Sequence, residues 1–523
     1  MAETAPRARA AQWVAAGILL SRLAGLIRER AIAHYFGATL YADVLRAALR
    51  LPNFLQNLLG EGTLSASFIP VYSELLEEGR EEEAGRVAGA VFALLFALAG
   101  ALTLIGTVFA PVLVDIFLWG FEGQRRELTI AATRILFPMT GILVLSAWAL
   151  GILNSHRRFF VSYIAPVLWN AAIIAALLVF GGRLDSSRLL IATAWGALAG
   201  GLLQFGVQLP WVIRLDRRIR VRWNPRLEGV RTVVRNAGPA IAGRGVVQVS
   251  GYLDIFLASF LVEGAVAALG YAQTLYILPI SLFGMSVAAA ELPELSRQRA
   301  GAIDALRDRV NGGLRQIAFF VVPSVIGYVV LGDVIVAALY QSGDFGARDT
   351  ILVYLVLAGY SLGLLASTAT RLYNSAFFAL RDTRTPAKVA ALRVVLAGAL
   401  GAALMLALRD VTVDGRSLGP VGLSVATGIA AWVEWGLLRR SLQPHLGRLG
   451  AGASALARMF GAALLAAGAG RAIYFYLPDT LAPLLAAVVV LIPFAILYFA
   501  LSRIFGLDEA ADVLRRASRR IGR

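Results

Sequence analysis

The sequence predicts an all-α polytopic membrane protein. About fourteen transmembrane helices form two six-helix bundles around a central cavity, with two extra helices at the C-terminus. Three observations predict this. Of 523 residues, 58% are hydrophobic and 16% charged, whereas soluble domains average about 25% charged. Fourteen apolar runs reach the roughly 20 residues that a spanning helix needs. One motif recurs six runs apart.

The runs cover 11–36, 41–74, 87–113, 127–152, 159–181, 188–213, 232–262, 265–295, 311–340, 349–379, 386–408, 418–438, 452–476 and 481–505. The first follows Arg7 and Arg9 and so imitates a signal peptide, but it continues through charged residues instead of ending at a cleavage site. An even number of spans puts both termini on one side. Alternate loops are rich in arginine: "HRR" at 156–158, "RLDRRIRVRWNPR" at 214–226, "RQRAGAIDALRDR" at 297–309, "RDTRTPAK" at 381–388 and the tail "RRASRRIGR". The other loops hold few basic residues, such as Arg125, Arg126, Arg183 and Arg348. Basic loops stay on the cytoplasmic side, so both termini are expected there.

The repeat pairs "LNSHRRFFVSYIAPVLWNAAII" from Leu153 with "YNSAFFALRDTRTPAKVAALRVV" from Tyr373. In both, Asn-Ser is followed at equal distance by a proline (Pro166, Pro386) expected to open the next helix. A looser match sets "LPNFLQ…IPVYSELL" against "LPISLF…LPELSRQ". Both are offset by six spans, which suggests halves related by an axis along the membrane normal. The expected organisation is an N-lobe over 1–226, a C-lobe over 227–440, and two further helices with a basic tail over 441–523.

Several functions are excluded. There is no cysteine, hence no disulfide and no cysteine-based metal or redox site. His34, His156 and His445 are too scattered for a metal triad. No G-x-x-x-x-G-K-[ST] occurs, so P-loop ATPase chemistry is absent, and no loop is large enough to hold a catalytic domain. The protein is expected not to be an enzyme and to need no cofactor beyond a coupling Na⁺ or H⁺. The net charge of +16 lies in short loops between apolar runs, a distribution that reports orientation and not nucleic-acid binding.

The first two runs are unlike the rest. "SRLAGLIRERAIAHYFGA" (21–38) carries Arg22, Arg28, Glu29 and Arg30 inside a span, and each charge at mid-bilayer costs about 3 kcal/mol. Ser21, Gly25 and Arg28 share one helical face. In "YADVLRAALRLPNFLQNLLGEGTLSASFIP" (41–70), Asp43, Arg46, Arg50 and Asn53 step down another, with Glu61 between two glycines. Pro52 is expected to kink or break that helix, and Gly60–Gly62 to weaken it again. Lipid cannot satisfy freed carbonyls, so this backbone should line protein or water. The expectation is a polar cavity walled by these two spans; the alternative is that the charges form internal ion pairs. Further along, Arg244, Gln248 and Asp254 lie in the seventh run. Asp254 is a candidate for the coupling cation, or else pairs with an arginine. Asp382 reads as a cap for the helix that Pro386 opens.

"SRLAGLIRERAIAHYFGA" followed by "ADVLRAALRLPNFLQNLLGEGTLSASFIPVY" resembles the amino-terminal signature of the MurJ/MviN family of lipid II flippases, within the multidrug/oligosaccharidyl-lipid/polysaccharide exporter superfamily. "NSHRRF…AP", "GPAI…Q…ASF" and "RDTRTP" fall in family order, and the resemblance covers nearly the whole chain. It implies transport of an undecaprenyl-pyrophosphate-linked peptidoglycan precursor from the cytoplasmic to the periplasmic leaflet, for cell wall synthesis and cell shape. The implied partners are this lipid-linked pyrophosphate oligosaccharide, membrane lipid and cell-wall synthesis proteins. Ser21, Arg22, Arg28, Asp43 and Glu61 match family positions directly, and Glu29 stands where aspartate is common. Two positions depart: Gln56 and Asn57 where the family carries arginine, and Thr274 where another arginine is expected. Arg46 and Arg244 are then candidates to relocate the missing charge. The implied substrate-binding set is Ser21, Arg22, Arg28, Glu29, Asp43, Arg46, Arg50, Asn53, Gln56, Glu61, Arg244 and Thr274; Asp254, Asn374 and Asp382 are the coupling-ion candidates. The alternatives are a flippase for an O-antigen or exopolysaccharide precursor, and a cation-coupled drug exporter, against which an arginine-rich cavity argues.

Overall fold

Residue contacts divide the chain into two units, Met1–Val266 and Ala267–Arg523. The structure is a computed structural model that describes residues 4–284, 303–478, 480–511 and 515, with side chains at 4–16, 18, 242–250 and 284 outside the description.

The first unit holds α1 (Thr4–Phe36), α2 (Leu40–Leu59), α3 (Glu61–Glu77), α4 (Glu81–Val108), α5 (Ala110–Phe117), α6 (Gly123–Ser155), α7 (Phe159–Phe180), α8 (Ser186–Leu215) and α9 (Glu228–Ser259). In the second, α10 (Ala265–Pro279) runs into a π-helical turn at Ile280–Gly284. After it come α11 (Ile303–Val330), α12 (Gly332–Tyr340), α13 (Ala347–Ser361), α14 (Leu364–Ala379), α15 (Arg384–Leu408), α16 (Gly419–Leu446), α17 (Ala453–Phe475) and α18 (Pro483–Ile504). A two-residue hairpin, β1 (Thr412–Val413) with β2 (Arg416–Ser417), precedes α16 and turns through Asp414 and Gly415, both at positive φ.

Along the described residues, every predicted run is helical. Among the described residues, ten helices are long and apolar enough to span a membrane, and α13 with α14, bent by 42° at their junction, makes an eleventh. The three remaining runs are α1, of which residues 4–16 and 18 are described by backbone alone, and α2–α3 and α9, where Asp43, Arg46, Arg50, Gln248 and Asp254 interrupt the apolar pattern. The eighth run is seen only to Gly284, so the repeat segment "LPELSRQ" at 292–298 lies outside the described residues.

Three expectations are corrected. The compact units meet at Val266/Ala267 and not at 226/227, because α9 packs along α3 and against α2. Pro52 does not end its helix: α2 continues to Leu59 and breaks at Gly60, where a side chain would collide with the Gln56 carbonyl. The Tyr252 hydroxyl of α9 donates to the Arg50 carbonyl at 2.5 Å beside the proline, so protein satisfies this stretch. Finally, Pro386 sits in the first turn of α15, as a helix-opening proline should, but Pro166 lies a further turn into α7. What the two repeats do share is the turn between them. Arg157 (φ 59°) and Arg381 (φ 61°) both adopt left-handed backbone after a helix end. The next N–H donates back to the carbonyl five residues earlier, Arg158 to Leu153 and Asp382 to Phe377, as in a Schellman cap.

Burial orders the helices of the first unit. Within its spanning window α6 is 78% buried, against 28% for α7. It therefore forms the unit's centre, with α2, α3, α4 and α8 around it. In the second unit α17 and α18 pack on α11 through Met459, Ala463, Val490 and Tyr498. Only 22% of the α18 window is buried, and Ile492, Ile496 and Ile504 are exposed, as lipid-facing residues are in a membrane protein.

Candidate functional site

A cavity of about 780 Å³ opens within the first unit. Ser21 of α1, Asn53, Gln56 and Asn57 of α2, and Glu61 and Ser65 of α3 line one side. Ser146 of α6, Trp169 and Asn170 of α7, and Gln204 of α8 line the other. The break at Gly60 is what brings the end of α2 and the start of α3 to the same space. The far wall is held by its own polar contacts. Gln204 donates to the Ser146 hydroxyl at 2.9 Å, and that hydroxyl donates to Gln208 at 2.7 Å. Trp169 Nε1 donates to the Ala197 carbonyl at 3.1 Å, which fixes its ring.

Arginines meet the cavity at Asn170. Arg28 Nη1 donates to Asn170 Oδ1 at 2.9 Å, and its guanidinium lies 4.9 Å from the centre of the Trp169 ring. Its Nη2 donates to Glu29 Oε1 at 2.7 Å, while Arg46 Nη2 donates to Glu29 Oε2 at 2.5 Å. One carboxylate thus bridges two guanidiniums. The side chains of Arg28 and Arg46 are 18% and 16% exposed, so the cluster is neither at the lipid surface nor sealed. The sequence alternative of internal ion pairs is therefore part of the arrangement, at Arg28, Glu29 and Arg46. Arg50, one turn further along α2, has no carboxylate partner among the described residues. Its guanidinium rests on Gly251 of α9, where any side chain would overlap Nη2.

The other expected residues fall as follows. Arg22 is exposed. Asp43 is fully buried away from the cavity: Arg125 Nη2 of α6 donates to its Oδ2 at 2.6 Å, as does the Gly264 amide at 2.7 Å. Arg125 in turn donates to the Leu261 carbonyl at 3.2 Å and stacks 3.8 Å over Phe121. The place expected for Asp43 at the cavity is corrected: it ties the starts of α2 and α6 to the loop after α9. The Arg244 side chain lies outside the described residues. Asp254 is half-buried on α9. In the second unit the Thr274 hydroxyl donates to the Gly270 carbonyl of its own helix, so no cation replaces the arginine expected there. Asn374 Oδ1 is buried and accepts no hydrogen bond among the described residues. Asp382 accepts from the amides of Arg384 and Thr385, at 2.9 and 3.0 Å, which makes it the cap of α15; these bonds, chiefly those from Thr385, hold its carboxyl below the usual carboxylate range.

Sequence reasoning missed the far wall. Ser146, Trp169, Asn170 and Gln204 are single polar or amphipathic residues in apolar runs, and only the lone amides hinted at a wet face. It also missed the pair of Arg393 with buried Glu434, 2.9 Å apart between α15 and α16.

The sequence profile described as "Lipid II flippase MurJ" matches residues 32–504. A protein of Burkholderia cenocepacia, named lipid II flippase MurJ, is 31% identical over 476 residues, 88% of this chain and 89% of its own length. One of Haemophilus influenzae, named probable lipid II flippase MurJ, is 30% identical over 483 residues, covering 88% and 91%. Among solved structures, a lipid II flippase MurJ in an inward closed conformation superposes with a TM-score of 0.78 at 23% identity, covering 95% of this chain and 99% of that one. An inward-facing multidrug resistance MATE family transporter of the MOP superfamily superposes at 0.64 and 18% identity, covering 81% and 95%. These two likenesses establish the fold.

Proposed function

Because the chain belongs to the lipid II flippase MurJ family, we propose that it moves lipid II, the undecaprenyl-pyrophosphate-linked peptidoglycan precursor, from the cytoplasmic to the periplasmic leaflet. The observation that carries this reading is the Arg28–Glu29–Arg46 cluster, which stands behind the cavity lining and touches it through Arg28 at Asn170 and Trp169. A pyrophosphate diester carries a negative charge on each phosphorus and cannot enter hydrocarbon unaided. Arg28, Arg46 and Arg50 supply the guanidiniums that meet this charge. Guanidinium forks match phosphate oxygens in geometry as well as in charge. Asn53, Gln56 and Ser21 offer hydrogen bonds to the sugar–peptide headgroup, while the polyprenyl tail stays in lipid. In this reading Arg46 takes over charge that the family places at the positions of Gln56, Asn57 and Thr274, with Arg244 as its companion.

Rocking of two helix bundles would expose the headgroup to one leaflet and then the other. The basic loops put both termini in the cytoplasm. Membrane potential drives the return, at about 2.3 kcal/mol per charge per 100 mV, or else a coupling Na⁺ or H⁺ does. For the ion, the buried Oδ1 of Asn374 and the carboxylate of Asp254 are the candidates.

Expression of the chain in a bacterium depleted of its own lipid II flippase tests the reading. The wild-type chain is expected to restore growth and cell shape, and Arg46→Gln with Arg244→Gln to fail while reaching the membrane at the same level. Failure of the wild type contradicts lipid II as the cargo. Rescue by the double variant contradicts the relocation of charge.

A further inference from the structure

A second basic cavity in the first unit plays no part in the transport pathway described above. Residues 216–227, between α8 and α9, contain the run Arg217, Arg218, Ile219, Arg220, Val221, Arg222, Trp223. From Arg218 it alternates strictly. Ile219 packs on the unit's core, while Val221 and Trp223 are exposed at 58% and 62%. With Arg217, the arginines of the run line a cavity of about 450 Å³ together with Arg86, Glu82, Asn224 and Leu227.

The strap is held in place. Its backbone lies directly on two glycines of α4 that share one helical face. A side chain at Gly85 would come within 2.9 Å of the Arg218 backbone, and one at Gly89 would overlap the Arg220 carbonyl. At its start, Asp216 accepts from the Arg218 amide at 3.0 Å and from the Tyr72 hydroxyl at 3.0 Å, and Tyr72 lies 3.1 Å from His156 Nε2. Of the five arginines, Arg218 pairs with Glu81. Arg86, Arg217, Arg220 and Arg222 have no carboxylate within salt-bridge distance among the described residues, and Glu82 is the single acid in the lining.

We propose that this cavity binds a phosphate-bearing anion at the basic face of the membrane. Four exposed guanidiniums without a carboxylate in salt-bridge distance gather around one concave surface with a single acid, Glu82, and the backbone that carries three of them is seated before any ligand arrives. The apolar side of the strap presents a tryptophan and a valine, as segments lying in a membrane interface do. The same chemistry comes from two sources, the headgroup of an anionic lipid and a soluble phosphate compound.

The test uses the full chain purified in a neutral detergent, with two probes. Phosphatidylglycerol retention is read by native mass spectrometry, and inorganic pyrophosphate binding by calorimetry. Arg220→Gln with Arg222→Gln is expected to weaken binding by about tenfold or more without moving the thermal midpoint. Arg384→Gln with Lys388→Gln, exposed basic residues of the second unit, removes equal charge and is expected to bind as wild type. A loss confined to the lipid probe identifies a headgroup site; a loss confined to pyrophosphate identifies a soluble ligand. The proposal is overturned if wild type binds neither probe, if the strap variant binds both as wild type does, or if the control pair loses as much.

Discussion

An Arg28→Gln chain is expected to reach the membrane at the wild-type level and to lose lipid II transport. Arg28 makes the contact that joins the charged cluster to the cavity wall, through Asn170 and the face of Trp169. Glutamine keeps a donor for Asn170 but removes the charge and the fork. A hydrogen bond to a charged group contributes about 1.5–3 kcal/mol, so headgroup affinity should fall by about 10- to 100-fold. Glu29 would still hold Arg46, which limits the damage to the fold. Complementation of a flippase-depleted strain, with membrane levels measured alongside, reads the outcome. Full rescue at equal level would show that Arg28 is a structural cation only.

Asp43→Ala is expected to fail for a different reason. Removing the carboxylate takes the charged partner from the buried Arg125 guanidinium and the acceptor from the Gly264 amide. Breaking a buried pair from one side costs about 3–5 kcal/mol. Replacing both partners, with Asp43→Ala and Arg125→Ala, should cost clearly less than the two single losses added, because neither charge is then left buried alone. Thermal unfolding of the four chains in one detergent reads this coupling. If Asp43→Ala unfolds at the wild-type midpoint yet does not transport, Asp43 acts on the substrate and not on the fold.

These two residues also mark how far the sequence could be read. The charges of α1 and α2 were legible because an arginine inside an apolar run stands out, and their spacing put Ser21 with Arg28, and Arg46 with Arg50 and Asn53, on common faces. Spacing along one helix does not say what stands opposite. Asp43 shared a face with Arg46 and Arg50, yet its partner came from a loop-proximal arginine, Arg125, that had counted only toward membrane orientation. The far wall of the cavity was illegible for a related reason: a single Asn170 or Gln204 in an apolar run carries no periodicity. At Pro52, where a kink or a break was expected, the helix does not break but runs on to Leu59, with Tyr252 of α9 bonded to the Arg50 carbonyl beside the proline. The helical runs were legible along the described residues, and ten or eleven of the fourteen are long and apolar enough to span, since span length is set by the bilayer and not by tertiary contacts.

The account rests on the cavity beside Arg28 being open to water and to the headgroup. The chain has no cysteine, so single cysteines can be placed without altering a background. Gln56→Cys and Ser65→Cys, in the cavity lining, should react with a charged, membrane-impermeant thiol reagent, and added lipid II should protect them. Ile496→Cys on the exposed face of α18 should stay unreactive in the bilayer. Labelling of Gln56→Cys and Ser65→Cys that lipid II suppresses is the predicted result; cavity cysteines as silent as the one at position 496, or labelled equally with and without lipid II, would contradict the account.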